Sequence, residues 1–181
     1  MTKGTNRTDM SEAKRLARRV ANLAMEGMAP GQAKEDSLAV CRLILESTVW
    51  QRASQVMFYV PMSGELNVNS LIENGLKNRK LVALPRFSVK INAYEACEID
   101  NLSDLVPGKF SVPEPSPDSQ IMDTKQLDLA IVPGVAFSGL GGRLGRGGGF
   151  LDRLLADIPA KKCGVCFKQQ VYPDVPVERH D

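Results

Sequence analysis

The chain is short of several things that would narrow its chemistry quickly. It has four cysteines in 181 residues, Cys41, Cys97, Cys163 and Cys166, irregularly placed, which is no disulfide framework of a secreted scaffold. Reduced thiols are expected. The formal charge is only +2, and aromatic residues make up 6% of the chain. Neither a broad basic face nor interleaved aromatics are present, which argues against a nucleic-acid-binding module built on the basic first helix and the arginine-glycine loop. No apolar run approaches the ~20 residues that span a bilayer. The start, Met1-Thr-Lys-Gly-Thr-Asn-Arg-Thr-Asp, carries no signal-like apolar stretch. A cytoplasmic protein that binds no membrane is predicted. Internal repeats and low-complexity segments are also missing.

What is present is ordinary in bulk: 43% hydrophobic and 24% charged residues, the values of a globular chain. The length predicts one domain over 1–181. Apolar residues at helical spacing predict a helix from Ser11 to about Met28, broken by Ala29-Pro30-Gly31, and a second over about Gln32–Ser47. The pattern then changes. Gln55–Val60 reads as a buried strand closed by Pro61, Val68 to about Asn78 as a helix capped by Asn67, and Lys80–Leu84 as the next strand. Ile91–Ile99 is a weaker strand, and Pro107–Pro117, with four prolines, an extended loop. Leu127–Val132 and Lys162–Phe167 are two further strands. Unalternating apolar strands joined by helices predict an α/β fold with a mostly parallel sheet and helices on both faces. Ligands of such sheets sit beyond the carboxyl ends of the strands.

The strongest local signal is glycine. Seven of the eleven residues from Gly139 to Gly149 are glycine, followed at once by the helix-like Phe150–Ala156. Held in a regular element, these glycines would cost about 4–7 kcal/mol relative to alanine. The segment is therefore expected to be a loop chosen for its backbone, whose N–H groups, with those of the following helix start, suit phosphate. It matches neither G-x-G-x-x-G nor the Gly-Lys-Ser/Thr phosphate loop. It instead carries Arg143 and Arg146, whose guanidinium groups pair well with phosphate, and Asp152, a carboxylate able to hold magnesium. The alternative is a structural glycine turn with Asp152 merely complementing a helix N-terminus. Lys14 and Arg18, four apart on one helix face, and Glu65, in a loop, read by themselves as solvated surface charge. Cys163-Gly-Val-Cys166 has redox or zinc spacing but neither a second pair nor a following helix, and reads as a bystander pair.

Val132-Pro-Gly-Val-Ala-Phe137 with Gly142-Arg-Leu-Gly-Arg-Gly-Gly-Gly-Phe-Leu-Asp152 closely resembles the signature of the 5-formyltetrahydrofolate cyclo-ligase family, also called 5,10-methenyltetrahydrofolate synthetase. The resemblance extends to Lys14-x-x-x-Arg18, Pro61-x-x-x-Glu65, Leu84-Pro85-Arg86, Val112-Pro-Glu-Pro115, and Phe167-Lys-x-Gln169 running to His180-Asp181. It implies a three-layer, Rossmann-like α/β enzyme that uses Mg-ATP to close 5-formyltetrahydrofolate to 5,10-methenyltetrahydrofolate, with release of ADP and phosphate. It implies ATP contacts at Lys14, Arg18, Arg143, Leu144, Gly145, Arg146, Gly147, Gly148, Gly149, Phe150 and Leu151, with Arg146 and Lys14 acting in catalysis. It further implies a folate pocket at Val60, Glu65 and Phe110, and Mg2+ ligands at Asp152 and Asp181. A monomer acting on a small molecule, without nucleic acid or membrane, is expected. Two departures stand out: Phe150-Leu151 occupies positions where many relatives carry tyrosines, and Ser138 stands where aspartate is common. The first of these is the best argument for an alternative, a nucleotide- or folate-binding regulator of the same fold that does not turn over.

Overall fold

In the computed structural model, which describes residues 5–178 and their side chains from residue 9 onward, the helical spacing of the first third becomes α1 (Thr5–Glu26), α2 (Gln32–Glu46) and the short α3 (Thr48–Arg52). After these come β1 (Gln55–Met57), α4 (Asn69–Lys77), β2 (Leu81–Ser88), β3 (Ala93–Ile99), β4 (Val106–Pro107), β5 (Pro113–Glu114) and β6 (Leu129–Val132). The chain continues through β7 (Ala136–Ser138), β8 (Arg143–Leu144), α5 (Phe150–Ala156), β9 (Lys161–Gly164) and β10 (Val171–Tyr172). The central sheet has the order β3-β2-β1-β6-β9. Its strands are parallel except for β3, which runs antiparallel to β2.

Alternation along the strands divides the core into two faces, because successive side chains of a strand point to opposite sides. Val56, Val82, Leu84, Leu129 and Ile131 pack against Cys41 and Ile44 of α2, Trp50 of α3 and Leu71 and Ile72 of α4. Met57, Ala83, Ala96, Ala130 and Val132 face the other way, onto Leu154 and Leu155 of α5 and Ile158. Three alanines on that face let α5 lie close to the sheet. A third cluster joins Ala21 of α1 to Val135, Ala136, Leu144 and Val175, seating α1 on the β7–β8 hairpin.

The differences from the expected elements have local causes. The sequence suggested a strand to Val60, but β1 ends at Met57. The next strand was expected to stop at Leu84, yet β2 continues through Pro85 to Ser88. Phe58 N–H donates to the Ala83 carbonyl, so Ala83 and, two residues on, Pro85 turn their backbone toward β1; Pro85 has no N–H to continue that ladder, and beyond it β2 is paired only with β3. The proline-rich segment is not wholly a loop: Val106 pairs with Glu114 and Pro107 with Pro113 in a small hairpin. The helix expected from Val68 under an Asn67 cap begins instead at Asn69, with Val68 at the N-cap and no side-chain cap; Asn67 precedes it, its Oδ1 accepting from Asn69 N–H at 2.9 Å in a local turn. The expected strand through Phe167 ends at Gly164, with one further bond from Val165 N–H to the Val132 carbonyl.

Candidate active site

The glycine segment divides into two parts with different roles. Its first part is a hairpin turn joining β7 to β8: Ser138 N–H donates to the Gly142 carbonyl at 2.9 Å, and Gly142 N–H to Ser138 Oγ at 3.0 Å. This corrects the reading of Gly139–Gly149 as one continuous phosphate loop, since the Ser138–Gly142 hydrogen bonds close a structural turn. Ser138 supplies the side chain that closes it. The second part, Gly145 to Gly149, runs from β8 to α5 and lines a cavity of about 390 Å³. Gly149 occupies the left-handed region at φ 66° and leaves the start of α5 without a side-chain cap. Gly147 has φ 102°, and a Cβ there would lie 3.3 Å from the Arg18 guanidinium carbon. Glycine suits that position both for its backbone angle and for the closeness of Arg18.

The second wall of the cavity comes from the carboxyl ends of β1 and β2. Val60, Glu65 and Phe110 border the same space as Arg143, Gly145–Leu151 and Asp152. The structure thus gathers Arg143, Arg146, Asp152, Val60, Glu65 and Phe110 around one cavity, whereas Lys14 and Arg18 do not line it and Asp181 lies outside the described residues. Leu144 is the exception among the loop residues: it is buried with Ala21, Val135 and Ala136, and its carbonyl accepts from Val135 N–H.

Charged side chains tie the cavity together. Arg146 Nε donates to Glu65 Oε1 at 2.8 Å, and Glu65 Oε2 accepts from Met62 N–H at 3.0 Å. Arg143 Nη1 lies 2.5 Å from Asp152 Oδ1, while its Nε donates to the Pro133 carbonyl at 2.7 Å. Both members of this pair are largely shielded, with side-chain exposures of 13% and 19%. Arg18 Nε donates to the Gly145 carbonyl at 2.8 Å, so α1 supports the loop from behind. Lys14, which as a lone helix lysine reads as surface charge, is buried, and its ammonium bonds Glu178 at 2.6 Å. His180 and Asp181 lie outside the described residues. Among the described residues, no group of three or more acidic, cysteine or histidine side chains could hold a metal. Magnesium, however, usually takes only one or two carboxylates together with substrate phosphates. Asp152, at the junction of loop and cavity, fits that donor pattern.

Sequence reasoning named Phe110 and Phe150 but missed that they form an aromatic wall with Phe87 and Tyr94. Phe150 meets Phe87 edge-on at a centroid distance of 5.4 Å and Tyr94 edge-on at 6.0 Å, and lies tilted against Phe110 at 5.7 Å. The Lys109 ammonium sits 3.3 Å from the Phe87 ring centroid. Phe150 therefore works as an apolar wall where a tyrosine hydroxyl would be polar, and Leu151 packs toward the α5 face of the core. Phe110 and Ser111 both hold φ 60°, an unfavourable angle for residues with a Cβ. Burial pushes the Tyr59 phenol well above its usual range, with Glu65 adding to the effect, and its hydroxyl donates to the Leu66 carbonyl at 2.5 Å. The other missed residue is Glu114. Its signal was a carboxylate placed between Pro113 and Pro115 in an otherwise uncharged stretch.

The cysteine pair does not build a second site. Cys163 lies on β9 and Cys166 just beyond it, both half-buried and unbridged, and burial raises both thiols. A raised thiol is a poor nucleophile and a poor metal ligand at neutral pH. None of the helices among the described residues is long and apolar enough to cross a membrane.

The chain is similar to known proteins in sequence and in fold. A probable 5-formyltetrahydrofolate cyclo-ligase of Caenorhabditis elegans is 28% identical over 186 residues, covering 95% of this chain and 90% of the relative. The 5-formyltetrahydrofolate cyclo-ligase of Escherichia coli K12 is 32% identical over 138 residues, 71% of this chain and 74% of the relative. The NMR structure of Aquifex aeolicus 5,10-methenyltetrahydrofolate synthetase superposes with a TM-score of 0.80 at 28% identity, covering 91% of this chain and 83% of that one. A Mycoplasma pneumoniae 5,10-methenyltetrahydrofolate synthetase, at 18% identity and a TM-score of 0.67, shares the fold. A sequence model of the family matches residues 2–181, and the chain belongs to the 5-formyltetrahydrofolate cyclo-ligase family.

Proposed function

We propose that this protein closes 5-formyltetrahydrofolate to 5,10-methenyltetrahydrofolate at the expense of ATP, releasing ADP and phosphate. The observation that carries the reading is the shared cavity: a glycine-and-arginine loop suited to a triphosphate forms one wall, and an apolar, aromatic surface suited to a flat ring forms another. Family membership points the same way. A formamide oxygen is a poor leaving group, and ring closure requires it to be activated. Its attack on the γ-phosphorus breaks the bond to the β-phosphate oxygen and yields ADP and a formyl phosphate adduct. N10 then attacks the formyl carbon and loses its proton, and the former carbonyl oxygen departs with phosphate.

Such transfer depends on positioning and on neutralising phosphoryl charge, and needs no side-chain nucleophile. In this reading Arg146 and Lys14 act in catalysis, with Arg146 meeting the transferring group once it exchanges its Glu65 contact for phosphate. Lys14, Arg18 and Arg143 to Leu151 hold the nucleotide, Arg18 by fixing the loop. Val60, Glu65 and Phe110 hold the folate, and Glu65, once released by Arg146, is suitably placed to orient N10 or take its proton. Mg2+, held by Asp152 and by Asp181, would supply further neutralisation of phosphate charge. A monomeric, cytoplasmic enzyme is the simplest form of this reading.

The test is to mix protein, Mg-ATP and 5-formyltetrahydrofolate and follow the near-ultraviolet absorption of the methenyl product with ADP measured in parallel. Product when all three are present, and none when any one is omitted, supports the reading. Binding of nucleotide and folate without turnover would make the protein a regulator of the same fold instead.

A further inference from the structure

Among the described residues, Glu114 is the one buried carboxylate bordering the cavity whose bonding is incomplete. It is 6% exposed; Oε2 accepts from Phe87 N–H at 3.1 Å, while Oε1 is buried and has no hydrogen-bond partner. A buried carboxylate oxygen left unmatched is costly, because the group has given up water without replacement. Two features hold it there at that cost. The carboxyl group lies against Gly108, where a Cβ would stand 2.4 Å from Glu114 Cδ, so only glycine leaves room. Arg86 binds the carbonyls of Ser116 and Pro117 at 2.6 and 3.0 Å, anchoring the chain just beyond Pro115.

The surroundings describe the missing partner. The cavity it borders is lined mainly by apolar and aromatic groups, including Tyr94, Phe110 and Phe150, which suits a flat ring. A carboxylate accepts only, so the matching edge of that ring must present N–H donors. The reduced pterin of a folate has such an edge in its 2-amino group and adjacent ring N–H. Resting on the folate reading above, we propose that Glu114 is the residue that binds and orients the substrate ring, its Oε1 accepting from that donor edge. The aromatic wall sets the plane of the ring and Glu114 its rotation within the plane, which brings the formyl oxygen toward the phosphate loop. Since Oε1 is itself buried, contact with the ring would require the Gly108–Ser111 turn to shift, where Phe110 and Ser111 already hold φ 60°.

The test pairs two variants with two substrates, 5-formyltetrahydrofolate and its analogue with hydrogen in place of the 2-amino group. In the wild type the analogue should lose about tenfold in kcat/KM, the loss of one hydrogen bond to a charged group. Glu114→Ala should raise KM for the natural substrate by a similar factor, leave KM for ATP within about twofold, and abolish the penalty on the analogue. Glu114→Gln retains an acceptor for Phe87 N–H but turns an amide NH2 toward the ring, so it too should lose the penalty. It serves where the alanine variant fails to fold. An equal analogue penalty in wild type and variants overturns the assignment while leaving the proposed reaction intact. An inactive wild type with both substrates present would instead overturn the reading on which it rests.

Discussion

Arg146 of the glycine loop donates to Glu65, 81 positions away in sequence, at 2.8 Å, joining the two walls of the cavity with its most exposed arginine and a nearly buried carboxylate. In the reaction proposed above Arg146 meets phosphate and Glu65 meets folate, so each would have to release the other when ligands enter. An ion pair with one partner half-exposed is worth only about 0.2–1 kcal/mol. Arg146→Ala should therefore leave thermal stability nearly unchanged while lowering kcat by about 100-fold or more, as expected when a transition-state charge partner is removed. Arg146→Lys should recover only part of this, since lysine lacks the bidentate fork. A kcat within twofold of wild type for Arg146→Ala, measured at saturating ATP, would remove Arg146 from catalysis.

Asp152 already has a partner in Arg143, so its replacement acts in two ways. Asp152→Asn keeps the shape but loses the charge, and should lower turnover far more than it lowers the melting temperature. If the carboxylate is a magnesium ligand, the Mg2+ concentration giving half-maximal nucleotide binding should also rise by about tenfold, a size typical of losing a contact to a charged ligand. Calorimetric titration of Mg2+ in the presence of a non-hydrolysable ATP analogue reads this without turnover. An unchanged magnesium dependence would leave Asp152 as the structural partner of Arg143 only.

The arrangement of the sheet and of the loop start was legible because each rests on local pattern. The unalternating strands foretold a sheet covered on both sides, and glycine followed by Phe150–Ala156 foretold the start of α5 to the residue. What sequence could not reveal depends on distant partners. The burial of Lys14 is set by Glu178, far along the chain, and the aromatic wall assembles from four segments that share no spacing. The glycine run also hid its own division, since nothing in its composition distinguishes a hairpin turn at Gly139–Gly142 from the loop that follows. Glu114 escaped because an acid in a proline-rich stretch looks solvated until the fold places it under Gly108.

Gly147 offers a test of the loop independent of any charged group. Its φ of 102° is strained for any residue with a Cβ, and the Arg18 guanidinium lies at the position a side chain would need. Gly147→Ala should cost about 1–2 kcal/mol through backbone strain and displace Arg18 from the loop. KM for ATP should then rise more than KM for the folate. Equal effects on the two substrates would mean that the loop does not hold the nucleotide separately.

The thiols predict the behaviour of the fold at high pH. Burial raises Cys97 from 9.0 to about 11, with Arg86 opposing the rise, and raises Cys41, Cys163 and Cys166 in the same direction. In that range the folded protein retains protons that the unfolded chain has lost, so stability falls as pH increases. The contribution of Cys97 is fully present below pH 9.0 and is lost as pH rises from there through about 11. Denaturant unfolding between these limits should show declining stability, with the slope reduced in Cys97→Ala. Replacing Cys163 by Ala and Cys166 by Val should flatten it further while leaving turnover largely intact at neutral pH, because neither thiol is then a thiolate. Loss of activity in that still folded double variant would revive a chemical role for the C-x-x-C pair.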